Sequence, residues 1–361
     1  MVTPLGESPE AVFNAVREGR SALRVYENGV LGVNAPLCAS LFEREEGLFQ
    51  RIARQAARQA LRQAGVDPAS PRTGLVLSTV KGEIDLLGKE DVSPAASARK
   101  LADALGIVTA PVVVSNACIS GLAALLQGQR MLESGACDQV LVVGVETQGR
   151  FNASGFQSLK ALSEQPCKPF DAARCGLNLG EAAAAMVLEM PGQAGHDVKG
   201  KAGDGGEWQI VGGAVRNDAN HISGPSRTGE GSYRALRCIL PMVDKEDLAF
   251  VGVHGTATLY NDEMESIALD RAGLLDVPVS ALKGTFGHTM GAAGILESIL
   301  GMMACDAGVV LPSRGYETCG VSRPVKISAS EMPASGKAFI KLLSGFGGVN
   351  AAMLFEKGGA R

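Results

Sequence analysis

Several signals that would assign this chain to a familiar class are missing from its sequence. No CxxC pair occurs among the eight cysteines, so their spacing argues against a zinc site. No apolar run reaches the roughly 18 residues that a transmembrane helix needs, and the N-terminal MVTPLGESPEAV lacks the basic and apolar regions of a signal peptide. The formal net charge of −4 and the isoelectric point of about 5.7 favour neither nucleic acid nor an anionic membrane as a partner. We therefore expect a cytoplasmic protein without a membrane span, whose thiols are reduced.

Aromatic residues are scarce at 4%, whereas glycine contributes 46 of the 361 residues. Hydrophobic residues still make up 46% of the chain, which is enough for a large core. This balance indicates a core of small aliphatic side chains in which helices and strands approach each other closely. The length suits one large domain or two packed halves.

Strand and helix patterns alternate along the chain, which predicts an α/β protein with mixed sheets. Arginine and glutamine on one face of 43–64 predict an amphipathic helix that ends at Gly65. Further helices are predicted at 118–135, 229–243, 261–273 and 287–305. Strands are predicted at 73–79, 112–116, 139–146, 181–189, 207–215, 248–255, 277–282, 325–330, 337–346 and 351–357.

The polar, Gly-rich stretch 191–206 predicts a surface loop between two halves, 1–190 and 207–361. Each half contains an apolar strand that meets a turn of small residues and opens a Gly/Ala-rich helix. The two copies are VVVSNACISGLAA and VPVSALKGTFGHTMGAAG. Their identity is slight, so we interpret the repeat as architectural.

Cys118 lies at the first of these strand-to-helix turns, between Ala117 and Ile119. A thiol at a helix N-terminus meets free backbone N–H groups and the positive end of the helix dipole, which favour a thiolate. This pattern predicts a nucleophile, although a small buried residue that caps the helix would fit the same pattern.

Two histidines in the second half of the chain are candidates for the same site. His254 ends an apolar strand before a loop that carries Thr256 and Thr258, and loops at strand ends often line clefts. His288 precedes a helix, where the dipole would keep the imidazole neutral and able to donate from one nitrogen. A core histidine bonded to a backbone carbonyl is the alternative for either position.

Two further features point to the same chemistry. Lys283 and Glu297 flank His288 at a spacing that allows an ion pair, with either a structural role or a role in the site. The glycines around Phe346 in LLSGFGGVNAAM allow close backbone approach and an N–H donor for an oxyanion. Phe346 itself would suit a mobile gate, and an ordinary tight turn would also fit.

In this order along the chain, the motifs resemble those of a β-ketoacyl-acyl carrier protein synthase of the elongating Cys-His-His type, in the thiolase-like superfamily. The matching stretches are NACISG, FQSLKALS, PFDAARCGLNLGEAAA, HGTATLYNDEMES, KGTFGHTMGAAGILES and GFGGVNA, which cover most of 115–356. The resemblance implies a five-layered α-β-α-β-α fold of two similar halves. It also implies a homodimer that acts on acyl carrier protein thioesters without a metal or cofactor.

The resemblance also implies roles for single residues. Cys118 would accept the acyl group, and His254 and His288 would assist decarboxylation of a malonyl thioester. The resulting enolate would attack the acyl thioester, and backbone N–H groups of Cys118 and Ser344 would hold the oxyanion.

Other matches imply supporting roles. Thr256 and Thr258 correspond to residues that contact the phosphopantetheine arm, and Phe346 corresponds to a gating aromatic. Lys283 and Glu297 correspond to a supporting ion pair.

The chain departs from the family pattern near its start. MVTPLGES begins at a turn that usually follows a buried strand, so we expect this first strand to be missing, through either a misassigned start or a real loss. The segments 22–42 and 78–111 are shorter than usual, which affects the expected dimer surface and acyl pocket. Next to Cys118, Asn116 and Ile119 replace more usual residues, and Ile119 would narrow the acyl tunnel.

Three functions remain open from the sequence. The first is decarboxylative condensation in fatty acid or related polyketide or polyene synthesis. The second is a thiolase-like acyltransferase that does not decarboxylate malonyl groups, although GFGGVNA lacks the second cysteine that a thiolase would carry. The third is a non-catalytic partner subunit of a heterodimer, which the presence of Cys118 disfavours.

Overall fold

The computed structural model describes residues 1–27, 29–33, 36–190 and 208–358. The predicted Gly-rich loop at 191–206 lies outside the described residues. None of the described helices is both long enough and apolar enough to cross a membrane.

The helices largely follow the predicted pattern. The helix predicted to start at residue 43 begins only at Leu48, because Gly47 adopts a left-handed conformation (φ 71°), and it ends before Gly65 as predicted. The α-helices are α1 (Pro9–Arg17), α2 (Leu48–Ala64), α3 (Pro94–Leu105), α4 (Ser120–Glu133), α5 (Arg150–Ser158), α6 (Glu230–Ile239), α7 (Leu259–Arg271), α8 (Lys283–Phe286) and α9 (Ala293–Asp306). Short 3₁₀ turns lie at Val30–Gly32, Ile84–Leu86, Leu240–Met242, Lys245–Asp247 and Met290–Ala292.

The strands also correspond to the predicted runs of apolar residues, with short additional strands in the connections. They are β1 (Arg24–Tyr26), β2 (Leu37–Ser40), β3 (Thr73–Ser78), β4 (Val112–Val114), β5 (Gln139–Glu146), β6 (Leu179–Gly180), β7 (Ala182–Glu189), β8 (Trp208–Asn217), β9 (Leu248–Gly252), β10 (Pro278–Ser280), β11 (Val309–Val310), β12 (Lys326–Ile327), β13 (Met332–Pro333), β14 (Ala338–Gly345) and β15 (Val349–Lys357).

Two mixed sheets share one pattern. The first has the order β4-β3-β5-β7, in which β7 alone runs antiparallel to its neighbour. The second has the order β12-β10-β9-β14-β15-β8, and its strands β10, β9 and β14 are again parallel and followed by an antiparallel strand, β15. The shared strand order agrees with the predicted architectural repeat.

Side chains alternate between the faces of each sheet, and this alternation produces five layers. In β5, Val140 and Val142 face a central core with α4 and α9, whereas Leu141 and Val143 face an outer core with α2 and α3. In β14, the odd-numbered apolar residues face the same central core, and the even-numbered ones pack against α6 and α7. The predicted α-β-α-β-α arrangement is confirmed.

The central layer depends on close helix contact. A side chain at Gly121 in α4 would bring its Cβ to within 2.8 Å of the Gly294 backbone in α9. Glycine at both positions therefore lets the two helices touch along their backbones. Because α4 follows Cys118 and α9 follows His288, this contact brings the two halves of the site together.

The outer edge of the first sheet differs from that of the second. β15 is paired along its whole length with β8, whereas the corresponding side of β7 is met, among the described residues, by Val2 alone. Val2 exchanges two backbone hydrogen bonds with Ala183, of 2.7 and 2.9 Å. A single bridge therefore stands where the family's usual first strand would pair with β7, in agreement with the prediction that this strand is missing.

Candidate active site

Three loops at the carboxyl ends of strands meet between the two halves. Cys118 follows β4, His254 follows β9, and His288 follows β10 and the short helix α8. The Cys118 sulphur and one ring nitrogen from each histidine lie within 4.8 Å of one another, and all three side chains are buried. The structure thus brings together the three residues that the sequence predicts as catalytic.

The backbone around Cys118 is held in an uncommon conformation. Ala117 has φ 45°, and the Ser120 hydroxyl fixes the turn by donating to the Ala117 carbonyl (2.6 Å) and accepting from the Asn116 N–H (2.8 Å). Ala257 (φ 62°) and Met290 (φ 45°), in the loops of the two histidines, also have positive φ. Strained residues of this kind persist only where the surrounding structure fixes them, and they often occur at functional sites.

The protonation state of Cys118 differs from the sequence-based prediction. Burial raises the pKa of the thiol to about 11, and the Lys283 ammonium together with the backbone N–H groups of Phe346 and Cys118 lowers it only in part. The prediction of a resting thiolate is therefore wrong, because desolvation outweighs the nearby helix terminus. Cys118 consequently needs a proton acceptor when it attacks.

His254 is placed by its backbone rather than by its ring. Its N–H and that of Gly255 donate to the two carboxylate oxygens of Glu265 in α7, at 2.6 and 2.7 Å. The ring is buried, and its Nδ1 has no hydrogen-bond partner among the described residues. Burial lowers the pKa of His254 well below 6.5, and the positive charges of Lys283 and Lys341 lower it further. The imidazole is therefore neutral at neutral pH.

His288 is also neutral, but the helix dipole is not the main cause. α9 begins only at Ala293, five positions later, and burial followed by the Lys283 and Lys341 charges lowers the pKa of His288. Its Nδ1 accepts a hydrogen bond from the Met290 N–H at 3.2 Å. The single proton of the neutral ring must then lie on Nε2, which is buried without a partner among the described residues. Nε2 is thus a free donor in the site.

The predicted ion pair is present. Lys283 Nζ lies 2.9 Å from Glu297 Oε1, and both side chains are almost completely buried. The second oxygen of Glu297 lies 2.6 Å from Lys341 Nζ on β14, a contact that the sequence analysis missed. The available signal was a charged residue in the middle of the apolar strand sequence AFIKLLSG.

The second backbone donor near Cys118 is Phe346 rather than Ser344. The backbone N–H groups that lower the pKa of the Cys118 thiol belong to Phe346 and to Cys118 itself. Ser344 is still paired with Asn350 in the β14–β15 ladder, whereas Phe346 lies in the turn after β14. We therefore propose Phe346 in place of Ser344 as the second donor, because a residue beyond the end of the ladder has its N–H free for a ligand.

A pocket of about 410 Å³ leads from the surface to the three residues. Phe346 and Phe156 line it, with ring centroids 5.5 Å apart, and Phe346 is half-buried. Thr256 and Thr258 also line the pocket, and their hydroxyls lie 3.0 Å apart. A pocket of this size matches the range that binds small molecules.

Two acidic residues of α7 were missed or misplaced by the sequence analysis. Asp262 is buried in the first turn of α7, where it accepts hydrogen bonds from the N–H groups of Phe170 and Ala257. Glu265, which fixes the His254 loop, was not singled out. Burial raises the pKa of Asp262 to about 6 and that of Glu265 to about 7.

Cys118, His254 and His288 are also the group of described residues whose donor atoms are close enough to share a metal ion. Thiolate and imidazole are ligands that suit zinc. The thiol of Cys118 is protonated, however, and the ammonium groups of Lys283 and Lys341 oppose a divalent cation. The absence of a metal in the reaction stays a prediction.

Family models match most of the chain. The model for the N-terminal domain of β-ketoacyl synthases matches residues 43–194, and the model for the C-terminal domain matches residues 208–317. The 3-oxoacyl-[acyl-carrier-protein] synthase 2 of Vibrio cholerae is 27% identical over 409 residues, which cover 99% of this chain and 97% of that protein.

Solved structures share the fold. A β-ketoacyl synthase from Burkholderia phymatum superposes with a TM-score of 0.86 at 23% identity, covering 99% of this chain and 97% of that one. A ketosynthase bound to a hexaketide and in complex with a type II polyketide acyl-carrier protein has a TM-score of 0.83 at 22% identity, with the same coverage of both chains.

Proposed function

The chain belongs to the β-ketoacyl synthase family, and from this premise we propose that it is a 3-oxoacyl-acyl carrier protein synthase whose nucleophile is Cys118. The reaction is the decarboxylative condensation of a malonyl thioester with an acyl group, in fatty acid or related polyketide synthesis. The observation that carries this proposal is the approach of Cys118, His254 and His288 to within 4.8 Å in a buried pocket.

In the first step the Cys118 sulphur attacks the carbonyl carbon of an acyl thioester. A carbon–sulphur bond to Cys118 forms, and the bond to the carrier sulphur breaks. Because His288 Nε2 already bears a proton, His254 is the imidazole that accepts the Cys118 proton and passes it to the departing carrier sulphur. The backbone N–H groups of Cys118 and Phe346 hold the developing oxyanion.

In the second step the malonyl thioester loses CO₂. The electron pair of the broken carbon–carbon bond becomes an enolate, whose oxygen accepts a hydrogen bond from His288 Nε2. It accepts a second from His254 once the single proton of that neutral ring has moved to the nitrogen that faces the substrate. A well-placed donor of this kind contributes about 3–4 kcal/mol to the transition state. Neutral imidazoles suit this task because each has an N–H to donate.

In the third step the enolate carbon attacks the acyl-Cys118 thioester. The new carbon–carbon bond forms, the carbon–sulphur bond breaks, and the Cys118 thiolate regains one proton from solvent by way of an imidazole. Dividing the condensation into acyl transfer and attack replaces one difficult step by two easier ones.

The pocket supports further assignments. Thr256 and Thr258 offer hydroxyls to the amide groups of a phosphopantetheine arm, and Phe346 on Phe156 forms the gate to the acyl tunnel. Lys283 and Glu297 support His288. The division into an N-terminal half of 1–190 and a C-terminal half of 207–361 is part of the proposal.

We propose acyl carrier protein as the partner that delivers both thioesters, since a related ketosynthase is found in complex with one. We also infer a dimer, with either a second copy or a related chain. The dimer is supported by the open edge of the first sheet. Among the described residues β4 pairs only with β3, so its three half-buried valines lie at this edge. A cytoplasmic location stays a prediction.

The test is a single condensation. The protein is incubated with acyl-loaded and malonyl-loaded acyl carrier protein, and the carrier-bound products are weighed by mass spectrometry. We expect a 3-oxoacyl product that is two carbons longer than the acyl group, and none with Cys118→Ala. A product that forms equally with Cys118→Ala, or malonyl transfer without loss of CO₂, would contradict the proposal.

A further inference from the structure

Lys341 is a cation in the middle of an otherwise apolar central strand. β14 lies between β9 and β15, and Lys341 is 2% exposed. Its side chain shares the strand face of Phe339 and Leu343, which is directed towards α9 in the central layer. Removing an ammonium from water costs several kcal/mol unless other groups compensate for it. The reaction steps described above give this residue no task.

The contacts of Lys341 indicate a charged ammonium. Nζ lies 2.6 Å from Glu297 Oε2 and donates to the carbonyl oxygens of Gly252 (3.2 Å) and Val253 (2.8 Å). Burial lowers the pKa of Lys341, and the adjacent Glu297 carboxylate acts against this by favouring the ammonium. The lack of a side chain at Gly252 leaves room for the lysine stem, whose Cδ would lie 3.3 Å from a Cβ there.

Two of these acceptors belong to the end of β9, immediately before His254. The third belongs to Glu297, whose other oxygen holds Lys283 at the start of the segment that leads to His288. The cluster of Lys341, Glu297 and Lys283 therefore joins the backbones that carry both imidazoles. Lys283 alone reaches only the His288 side.

The cluster also carries a net positive charge, since two ammonium groups share one carboxylate. The charged and titratable groups around His254 come from every element packed against it: Lys283 from α8, Lys341 from β14, Glu297 from α9, Glu265 from α7, His288, and the Cys118 thiol before α4. After burial, the two lysines are the main cause of the lowered pKa of His288, and they also lower that of His254. A positive charge there disfavours imidazolium, so His288 Nδ1 stays unprotonated and keeps its hydrogen bond from the Met290 N–H.

We propose that Lys341 is a positioning residue of the condensation, which fixes the end of β9 and thereby His254 to the carboxylate that Lys283 also holds. This inference rests on the proposed function. It adds a second cation to the expected ion pair, and it predicts a larger effect on decarboxylation, which uses both imidazoles, than on acyl transfer, which uses His254 alone.

The experiment compares Lys341→Met, which removes both the charge and the donors, with Lys341→Gln, which keeps an amide donor. Lys337→Met serves as a matched control, because it removes an exposed lysine just before the same strand. Release of CO₂ from malonyl-loaded acyl carrier protein is measured across pH, together with acylation of Cys118 in the same preparations. Thermal melting confirms that each variant is folded.

We expect Lys341→Met to lower CO₂ release by about 10²-fold, the effect that a misplacement of about 1 Å can have on a reacting group, and to lower acylation by less. Lys341→Gln should lose less, and in both variants the acid limb of the pH profile should move to higher pH because a repelling cation is gone. The control should match the wild type. If Lys341→Met does not fold, the pH shift in Lys341→Gln decides.

Unchanged CO₂ release with an unchanged acid limb in the folded variants would overturn the inference, as would an equal loss of acylation and decarboxylation. A wild-type protein that releases no CO₂ at all would instead contradict the proposed function. The two failures are therefore distinguishable.

Discussion

His288→Asn tests whether one ring nitrogen stabilises the enolate. An asparagine oxygen takes the place of His288 Nδ1 and can still accept from the Met290 N–H, but nothing replaces the donor at Nε2. His288→Gln is the matched variant, since the longer amide places an N–H near Nε2 and gives up the contact with Met290. Comparison of the two variants therefore separates the loss of the Nε2 donor from the loss of the hydrogen bond with the Met290 N–H.

The expected loss of activity follows from the removal of one donor in a buried site. His288 is 1% exposed, and Nε2 has no other partner among the described residues. Loss of a single oxyanion donor costs about 3–4 kcal/mol, so CO₂ release from malonyl carrier protein should fall by about 10²–10³-fold in His288→Asn. His288→Gln should keep more of the activity.

The assay measures the two half-reactions separately. Acylation of Cys118 relies on the backbone N–H groups of Cys118 and Phe346, so it should slow by less than about tenfold (~1.4 kcal/mol) in either variant. Equal rates of CO₂ release in the wild type and His288→Asn would refute the role of Nε2. Greater loss in His288→Gln than in His288→Asn would show that the anchor, not the donor, matters.

Two further predictions concern stability and assembly. Burial raises the pKa of Glu265 from about 4.5 in the unfolded chain to about 7 in the folded protein. Between these two pH values the folded state therefore binds more protons than the unfolded state. The free energy of unfolding should consequently fall as pH rises from about 4.5 to 7. Chemical denaturation across this range should show a flatter dependence in Glu265→Gln, and an equally steep one would contradict the assignment. Val113→Lys places a charge on the exposed edge of the first sheet and should convert a dimer to a monomer in sedimentation experiments, whereas an unchanged dimer would exclude β4 from the interface.

The fold was largely predictable because the apolar periodicity is strong in the strands that form the two sheets. The strand predicted at 139–146 has those bounds in the structure, since every residue of β5 after Gln139 is buried. The boundary of α2 was harder to predict, because the left-handed conformation of Gly47 that delays its start depends on the surrounding chain. Pairing between strands, such as the single bridge at Val2, depends on contacts far apart in sequence.

The reactive residues were predictable from motifs, whereas their electrostatics were not. Local sequence suggested a thiolate at Cys118, but the raised pKa results from burial by both halves of the chain. The change from Ser344 to Phe346 depends on where the β14–β15 ladder ends. The partner of Lys341 could not be predicted from the sequence, because its contact with Glu297 forms only where β14 packs against α9.

The most direct test of the central claim is acylation of Cys118. The wild-type protein and Cys118→Ala are incubated with acyl carrier protein loaded with saturated acyl chains of several lengths, and intact masses and peptide masses are measured. We predict one added acyl group on the wild type, located on the peptide that contains Cys118, and none on Cys118→Ala. An adduct that persists in Cys118→Ala, or no adduct with any chain length, would contradict the assignment of Cys118 as the nucleophile.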